Sequence, residues 1–190
     1  MGFTREELEA ARDTTVPDLL GPNTRLLFVG INPGLWTAAA QAHFARRGNR
    51  FYPALFRAGI VDRLIDASSG YHPEDLTHLV ERGIGITNLV RRPTARADEL
   101  SADEIVAGAR SLESLVARVQ PRVVAVLGIT AYRTGFDVPK ATAGRQPQPL
   151  GDSDLWVVPN PSGLNAHASL DDLASAYREA ARAAGVIPSP

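Results

Sequence analysis

Four short apolar runs constrain the fold of this 190-residue chain more than any other feature: RLLFVG (25–30), GIGITNLV (83–90), RVVAVLG (122–128) and DLWVVPN (154–160). They are rich in Val, Ile and Leu and do not alternate cleanly between apolar and polar residues. Strands of that kind belong to a parallel sheet covered on both faces. Helical patterns separate them. FYPALFRAGIVDRLI (51–65) carries apolar residues at helical spacing. SADEIVAGARSLESLVARVQ (101–120) opens with Ser101 and places Glu104 three residues later, a capping box, with Ile105, Leu112, Leu115, Val116 and Val119 in one stripe. SLDDLASAYREAARAAG (169–185) starts at a Ser or Asp cap and stops at Gly185, with Pro188 beyond. Alternating strand and helix predicts an α/β fold, a three-layer α/β/α sandwich with a mainly parallel central sheet. The polar, Pro- and Gly-rich stretch 140–154 reads as a hairpin or a surface loop. The length fits one domain with a real core. The expected division is an N-terminal extension, 1–22, bearing a helix, and a single domain, 23–190.

Composition then removes whole classes of chemistry. Cysteine is absent, which excludes disulfides, thiolate chemistry and Cys-based zinc sites and is consistent with a reducing cytoplasm. His43, His72, His78 and His167 show no HxH or HExxH spacing, so no metal is expected. No P-loop, G-x-G-x-x-G or G-x-S-x-G pattern occurs, and GDSDL (151–155) precedes a strand instead of ending one. No run of 18 apolar residues occurs, and the charged start MGFTREELEAARD does not read as a signal peptide. A net charge of −1 argues against a protein that coats nucleic acid indiscriminately, yet arginines cluster after two of the strands, at Arg46, Arg47 and Arg50 and at Arg91, Arg92 and Arg96.

In a parallel sheet, ligands bind at the carboxyl ends of the strands. The segments there are INPGLW, NLVRRPT, GITAY and NPSGLNAH. The first and last both contain Asn-Pro closely followed by Gly. One such sequence is an ordinary turn. Two, each at a strand terminus, point to a site. Proline fixes the chain where it leaves the sheet and forces the preceding residue into an extended conformation, so each carboxamide is aimed. A carboxamide donates and accepts at once. It can hold a water molecule, but it cannot deprotonate one.

GINPGLWTAAAQAHFARRGNRFY (30–52) paired with NPSGLNAH (160–167), with NRFYPALFRAGI and RPT between, resembles the mismatch-specific uracil/thymine DNA glycosylases of the uracil-DNA glycosylase superfamily. The resemblance spans the chain from the first strand to the last helix. It implies that Asn32 positions the hydrolytic water and that Asn160 lies near the scissile sugar and leaving base. Ile31, Gly34, Thr37 and Asn88 would line the base pocket, and Phe44 would stack on the flipped pyrimidine. Gly163, Leu164 and Asn165 would form the wedge that fills the vacated place in the duplex. The chain departs from the enterobacterial-type pattern in carrying Asn88 for Lys and Ala166 for Arg, and Trp36 replaces a small residue.

The resulting expectation is a monofunctional glycosylase of base excision repair. It would hydrolyse the N-glycosidic bond of uracil, thymine or another damaged pyrimidine opposite guanine and leave an abasic site. It would need no cofactor and would act as a monomer on duplex DNA carrying G·U or G·T mismatches, in the cytoplasm at the nucleoid. Arg46, Arg47, Arg50, Arg91 and Arg92 are the candidate phosphate contacts. Asp98, after the second strand, is the candidate auxiliary carboxylate. The rival readings are a lesion-binding protein that keeps the pocket without the chemistry, and a small-molecule nucleoside hydrolase on the same fold.

Overall fold

The computed structural model describes residues 2–189. It contains the sandwich expected from the strand and helix pattern. The main strands are β1 (Leu26–Gly30), β2 (Ile84–Asn88), β3 (Val123–Leu127) and β5 (Asp154–Val158), with a two-residue β4 (Gly144–Arg145) antiparallel to β5. The sheet order is β2-β1-β3-β5-β4, parallel except at β4. Part of the 140–154 connection is therefore a hairpin arm, closed by Gln146 N–H donating to the Leu155 carbonyl at 2.7 Å.

The absence of alternation in the strands has a direct cause. Along β1, Leu26 and Phe28 face one helical layer while Leu27 and Val29 face the other, and all four are buried. The first layer holds α3 (Phe51–Arg57), α4 (Pro73–Glu81) and α7 (Leu170–Ala183), with Phe51, Leu79, Leu173 and Tyr177 inside. The second holds α5 (Ala102–Val119) and α6 (Ile129–Gly135), with Leu112, Leu115, Val116 and Tyr132 inside. The Ser101–Glu104 capping box forms with both reciprocal bonds, and a second one joins Ser169 and Asp172 at the start of α7.

The fold departs from the sequence expectation in one helix. The helix expected over 51–65 ends at Arg57. Gly59 takes a left-handed φ of 73°, and Ile60 N–H returns to the Leu55 carbonyl at 2.9 Å, a glycine-terminated helix end. The extension before residue 23 carries a helix and packs onto the sheet's edge. After α1 (Arg5–Ala10), the chain lays Ala11 and Val16 into a small apolar cluster, and Leu19 bridges Ile86 on the edge of β2.

Candidate active site

The chain runs from β1 outward to β2 on one side and is rejoined by β3 on the other, so the sheet's switch point lies beside the end of β1. A cavity of about 160 Å³ opens there. It is lined by the turn after β1 (Ile31 to Gly34), Thr37, Phe44, Asn88 at the end of β2, and the Asn160–Ser162 turn after β5. Every residue expected for the base pocket therefore borders one cavity, together with both motif asparagines.

The two asparagines are fixed in opposite senses. Asn32 Nδ2 donates toward Thr94 Oγ1 (2.8 Å), the Arg92 carbonyl (2.9 Å) and the Pro33 carbonyl (3.2 Å). Carbonyls only accept, so the amide nitrogen must lie on that side. The Thr94 hydroxyl spends its own proton on the Arg96 carbonyl at 2.7 Å, so it too can only accept from Asn32. Asn32 Oδ1 is left as a bare acceptor. Asn160 is reversed: its Oδ1 accepts Ser162 N–H at 2.9 Å in an Asx turn, which leaves Nδ2 as a donor. One amide thus offers an acceptor and the other a donor at the same cavity.

Phe44 has a left-handed φ of 56°, a conformation that costs a non-glycine residue about 1–3 kcal/mol. Its ring stacks on Phe51 with centroids 4.1 Å apart, which backs one face. The strain is held by the preceding residue. His43 N–H donates to Tyr71 Oη (3.2 Å), Tyr52 Oη donates to the His43 carbonyl (2.9 Å), and the phenols share a 2.6 Å bond. Burial keeps both phenols protonated, pushing Tyr71 up to about 12 and Tyr52 well above its ordinary value.

The loop after β5 projects Leu164, which is 79% exposed. Its backbone is tied internally by Leu164 N–H to Ser162 Oγ (3.2 Å), Asn165 N–H to the Ser162 carbonyl (3.0 Å) and Asn165 Nδ2 to the Asn160 carbonyl (3.0 Å). Gly163 lies against the Gly48 carbonyl. Arg50 holds the loop from beneath, donating to the carbonyls of Ser162 (2.9 Å), Asn165 (2.8 Å) and Ala168 (2.5 Å).

Several assignments change on these contacts. Arg50 is committed to carbonyls of the loop that carries Leu164 and is not placed to meet a phosphate. Asp98 does not border the cavity: it pairs with Arg96 at the surface, because the chain turns outward into a short 3-10 segment at Ala97–Glu99. No carboxylate lines the cavity among the described residues. Arg91 and Arg92 are paired with Asp18 (2.8 Å) and Glu104 (2.9 Å), and Arg92 holds the Glu104 carboxyl down at about 2. Arg46 is exposed, makes no ion pair among the described residues and borders both the cavity and the hollow beside Leu164. Thr94, His43 and Arg50 have roles that motif reading did not assign. Each lies within a motif segment, Thr94 as the last residue of RPT and His43 and Arg50 within 30–52, but the segment alone does not say what the side chain touches. No group of three or more His, Asp or Glu side chains among the described residues is arranged to hold a metal ion, and no described helix is long and apolar enough to cross a membrane.

The chain is similar to the solution NMR structure of a candidate uracil DNA glycosylase from Methanosarcina acetivorans. The TM-score is 0.64 at 19% identity, covering 90% of this chain and 98% of that one, a likeness of fold. Residues 17–183 match the family model described as the uracil DNA glycosylase superfamily. With nearly the whole length matched, the chain belongs to the uracil DNA glycosylase superfamily, and that membership supports a DNA glycosylase function.

Proposed function

We propose that this protein is a monofunctional, mismatch-specific DNA glycosylase that removes uracil, and with it thymine or other damaged pyrimidines, opposite guanine in duplex DNA. The opposed polarity of Asn32 and Asn160 across one cavity carries the reading. A wobble-paired base leaves the stack at a cost of a few kcal/mol, less than a matched one. It stacks on Phe44, a contact worth about 1–3 kcal/mol, while Leu164 enters the vacated space. Asn88 meets the Watson–Crick edge of the flipped base.

As the C1′–N1 bond breaks, its electron pair stays on the base, and the Asn160 Nδ2 donor stabilises the resulting anion. Asn32 Oδ1 accepts one hydrogen of a water molecule and turns its lone pair toward C1′. The water oxygen bonds to C1′ and its proton passes to the departing base or to solvent, leaving an abasic site. Asp98, turned out to Arg96, supplies no base to the cavity. A positioned general base contributes about 10²–10⁴-fold, and this site lacks one, so turnover is slow. Arg46 is the leading phosphate contact, because it is exposed and makes no ion pair among the described residues. Arg47, Arg91 and Arg92 are secondary candidates.

Single-turnover assays on G·U, G·T, A·U and matched duplexes, scored by alkaline cleavage of abasic sites, test the reading. Abasic product from G·U in excess of A·U supports it. The lack of a cavity carboxylate gives a second reading some weight, a lesion binder without chemistry. Tight G·U binding with no abasic product would establish that reading, and release of free base from nucleosides would establish a nucleoside hydrolase.

A further inference from the structure

Glu99, at the end of the 3-10 turn after Thr94, does not border the cavity, and the chemistry proposed above leaves it unused. Its Oε1 accepts Arg96 N–H at 2.8 Å, and its own N–H donates to the Arg96 carbonyl at 3.2 Å, so the turn is closed from both sides. The Arg96 carbonyl also takes the proton of the Thr94 hydroxyl, the bond that leaves Thr94 Oγ1 as an acceptor for Asn32 Nδ2. The Glu99 carbonyl accepts Arg92 Nη2 at 3.3 Å, and Arg92 offers its own carbonyl to the same Asn32 nitrogen. The two shortest bonds of Asn32 Nδ2 therefore go to a segment, 92–96, whose far end is tied at Glu99.

Glu99 is itself held from outside. Its Oε2 lies 3.2 Å from Arg12 Nη1. Glu9 takes up Arg12 Nε and Nη2 at 3.0 and 3.3 Å, which leaves Nη1 directed at Glu99. The segment that bears Arg12 packs on α2 (Leu35–Ala40), the helix that leaves the Asn32–Gly34 turn. Phe3 meets Trp36 edge-on with centroids 5.2 Å apart, Ala11 and Val16 cluster with Ala38, and Gln41 Nε2 donates to the Thr15 carbonyl at 3.2 Å. The N-terminal segment thus touches both the helix after the motif turn and the loop that fixes the motif amide.

We infer that Glu99 is a positioning residue for the proposed reaction: clamped by Arg12 of the N-terminal segment, it fixes the 92–96 backbone that aims the Asn32 amide, and so sets the direction of the water-holding oxygen. It touches neither the water nor the base. Asp98, one residue away, meets only the Arg96 guanidinium among the described residues and has no place in this path. The Arg12–Glu99 pair is partly exposed, so its loss acts on the scale of a surface ion pair. The inference rests on the glycosylase reading and on Asn32 as the residue that holds the water.

The test measures single-turnover excision from G·U duplex, DNA affinity and thermal melting. The variants are Glu99→Ala, Glu99→Gln, Arg12→Gln, Asp98→Ala, Glu99→Ala/Thr94→Val and Glu99→Ala/Arg12→Gln. The energy of one orienting hydrogen bond predicts that Glu99→Ala slows excision about three- to tenfold with no loss of affinity. Glu99→Gln, whose amide oxygen still accepts Arg96 N–H, recovers most of that loss. Arg12→Gln slows excision about two- to fivefold, the range of an exposed ion pair, and adds nothing to Glu99→Ala. Glu99→Ala/Thr94→Val is no slower than Thr94→Val, and Asp98→Ala keeps the wild-type rate. A folded Glu99→Ala protein at the wild-type rate, losses that multiply in Glu99→Ala/Thr94→Val, or a loss confined to DNA affinity overturns the inference. If wild type makes no abasic sites, the glycosylase reading fails, and ¹⁵N NMR of the free protein then decides the geometry by itself. The Asn32 side-chain amide resonances move in Glu99→Ala and Arg12→Gln and stay in place in Asp98→Ala. An unmoved Asn32 amide in a folded Glu99→Ala protein overturns the inference whatever the enzyme does.

Discussion

Thr94→Val isolates the positioning of the water-holding amide. Thr94 is 1% exposed at the wall of the cavity, and its hydroxyl makes two bonds, from Asn32 Nδ2 and to the Arg96 carbonyl. Valine nearly preserves the shape and removes both. The Asn32 amide has two hydrogens and three acceptors. Without Thr94 it keeps the Arg92 carbonyl at 2.9 Å and relies on the Pro33 carbonyl at 3.2 Å, a poorer partner. A net hydrogen bond is worth about 1 kcal/mol. If that energy holds the amide in place for water attack, its loss appears in the barrier, where about 1.4 kcal/mol is tenfold. The expected result is a three- to tenfold lower single-turnover rate (an order-of-magnitude range set by the same hydrogen-bond energy), with DNA affinity unchanged. The Arg96 carbonyl keeps Glu99 N–H at 3.2 Å, so the stability loss in urea unfolding is that of the two hydrogen bonds of the Thr94 hydroxyl, about 1–3 kcal/mol. Thr94→Ser keeps the hydroxyl and should restore the rate. A wild-type rate in Thr94→Val, or a Thr94→Ser protein as slow as Thr94→Val, would refute the reasoning.

Other perturbations separate the parts of the site. Leu164→Ala, at an exposed loop tip, should leave stability within about 0.5 kcal/mol and lower excision from duplex while sparing single-stranded substrate; equal losses on both substrates would contradict a wedge. Arg50→Met should cost roughly 2–4 kcal/mol in urea unfolding, since it strips charge-assisted donors from three carbonyls of the wedge loop. It should leave the salt slope of DNA binding unaltered, whereas a phosphate contact would reduce that slope by about 1. The His43 imidazole is depressed in the folded state, so the unfolded chain binds the proton first as pH falls. His43 should therefore contribute stability that is full above its ordinary value near 6.5 and is lost as pH drops toward the folded value. The urea midpoint of wild type should fall over that window more than that of His43→Gln, and parallel curves would show that the ring does not titrate as described.

What could be read in the sequence, and what could not, follows from the range of the interactions. The strands were legible because burial on both faces makes them continuously apolar, and α5 and α7 because their caps lie three residues from their partners. The short helices α2 (Leu35–Ala40) and α6 have too few turns to show a periodic face. The helix starting at Phe51 kept an apolar pattern beyond Gly59, where a left-handed glycine overrides periodicity. The motif asparagines and Phe44 were visible from their segments. Their supports were not: Thr94 reaches Asn32 across 62 residues, Asn88 meets His43 across 45, and Arg50 meets the wedge loop across more than 110. Asp98 was misplaced for the same reason. Proximity along the chain to β2 does not say whether a loop turns into the cavity or out to Arg96.

The account stands most directly on Asn32 as the acceptor that holds the attacking water. Single-turnover excision from a G·U duplex by Asn32→Ala, measured beside its DNA affinity, should show a rate lower by roughly 10²–10³ (the scale of a lost transition-state contact) with affinity within about twofold of wild type. An Asn32→Ala protein that excises uracil at the wild-type rate would contradict the account.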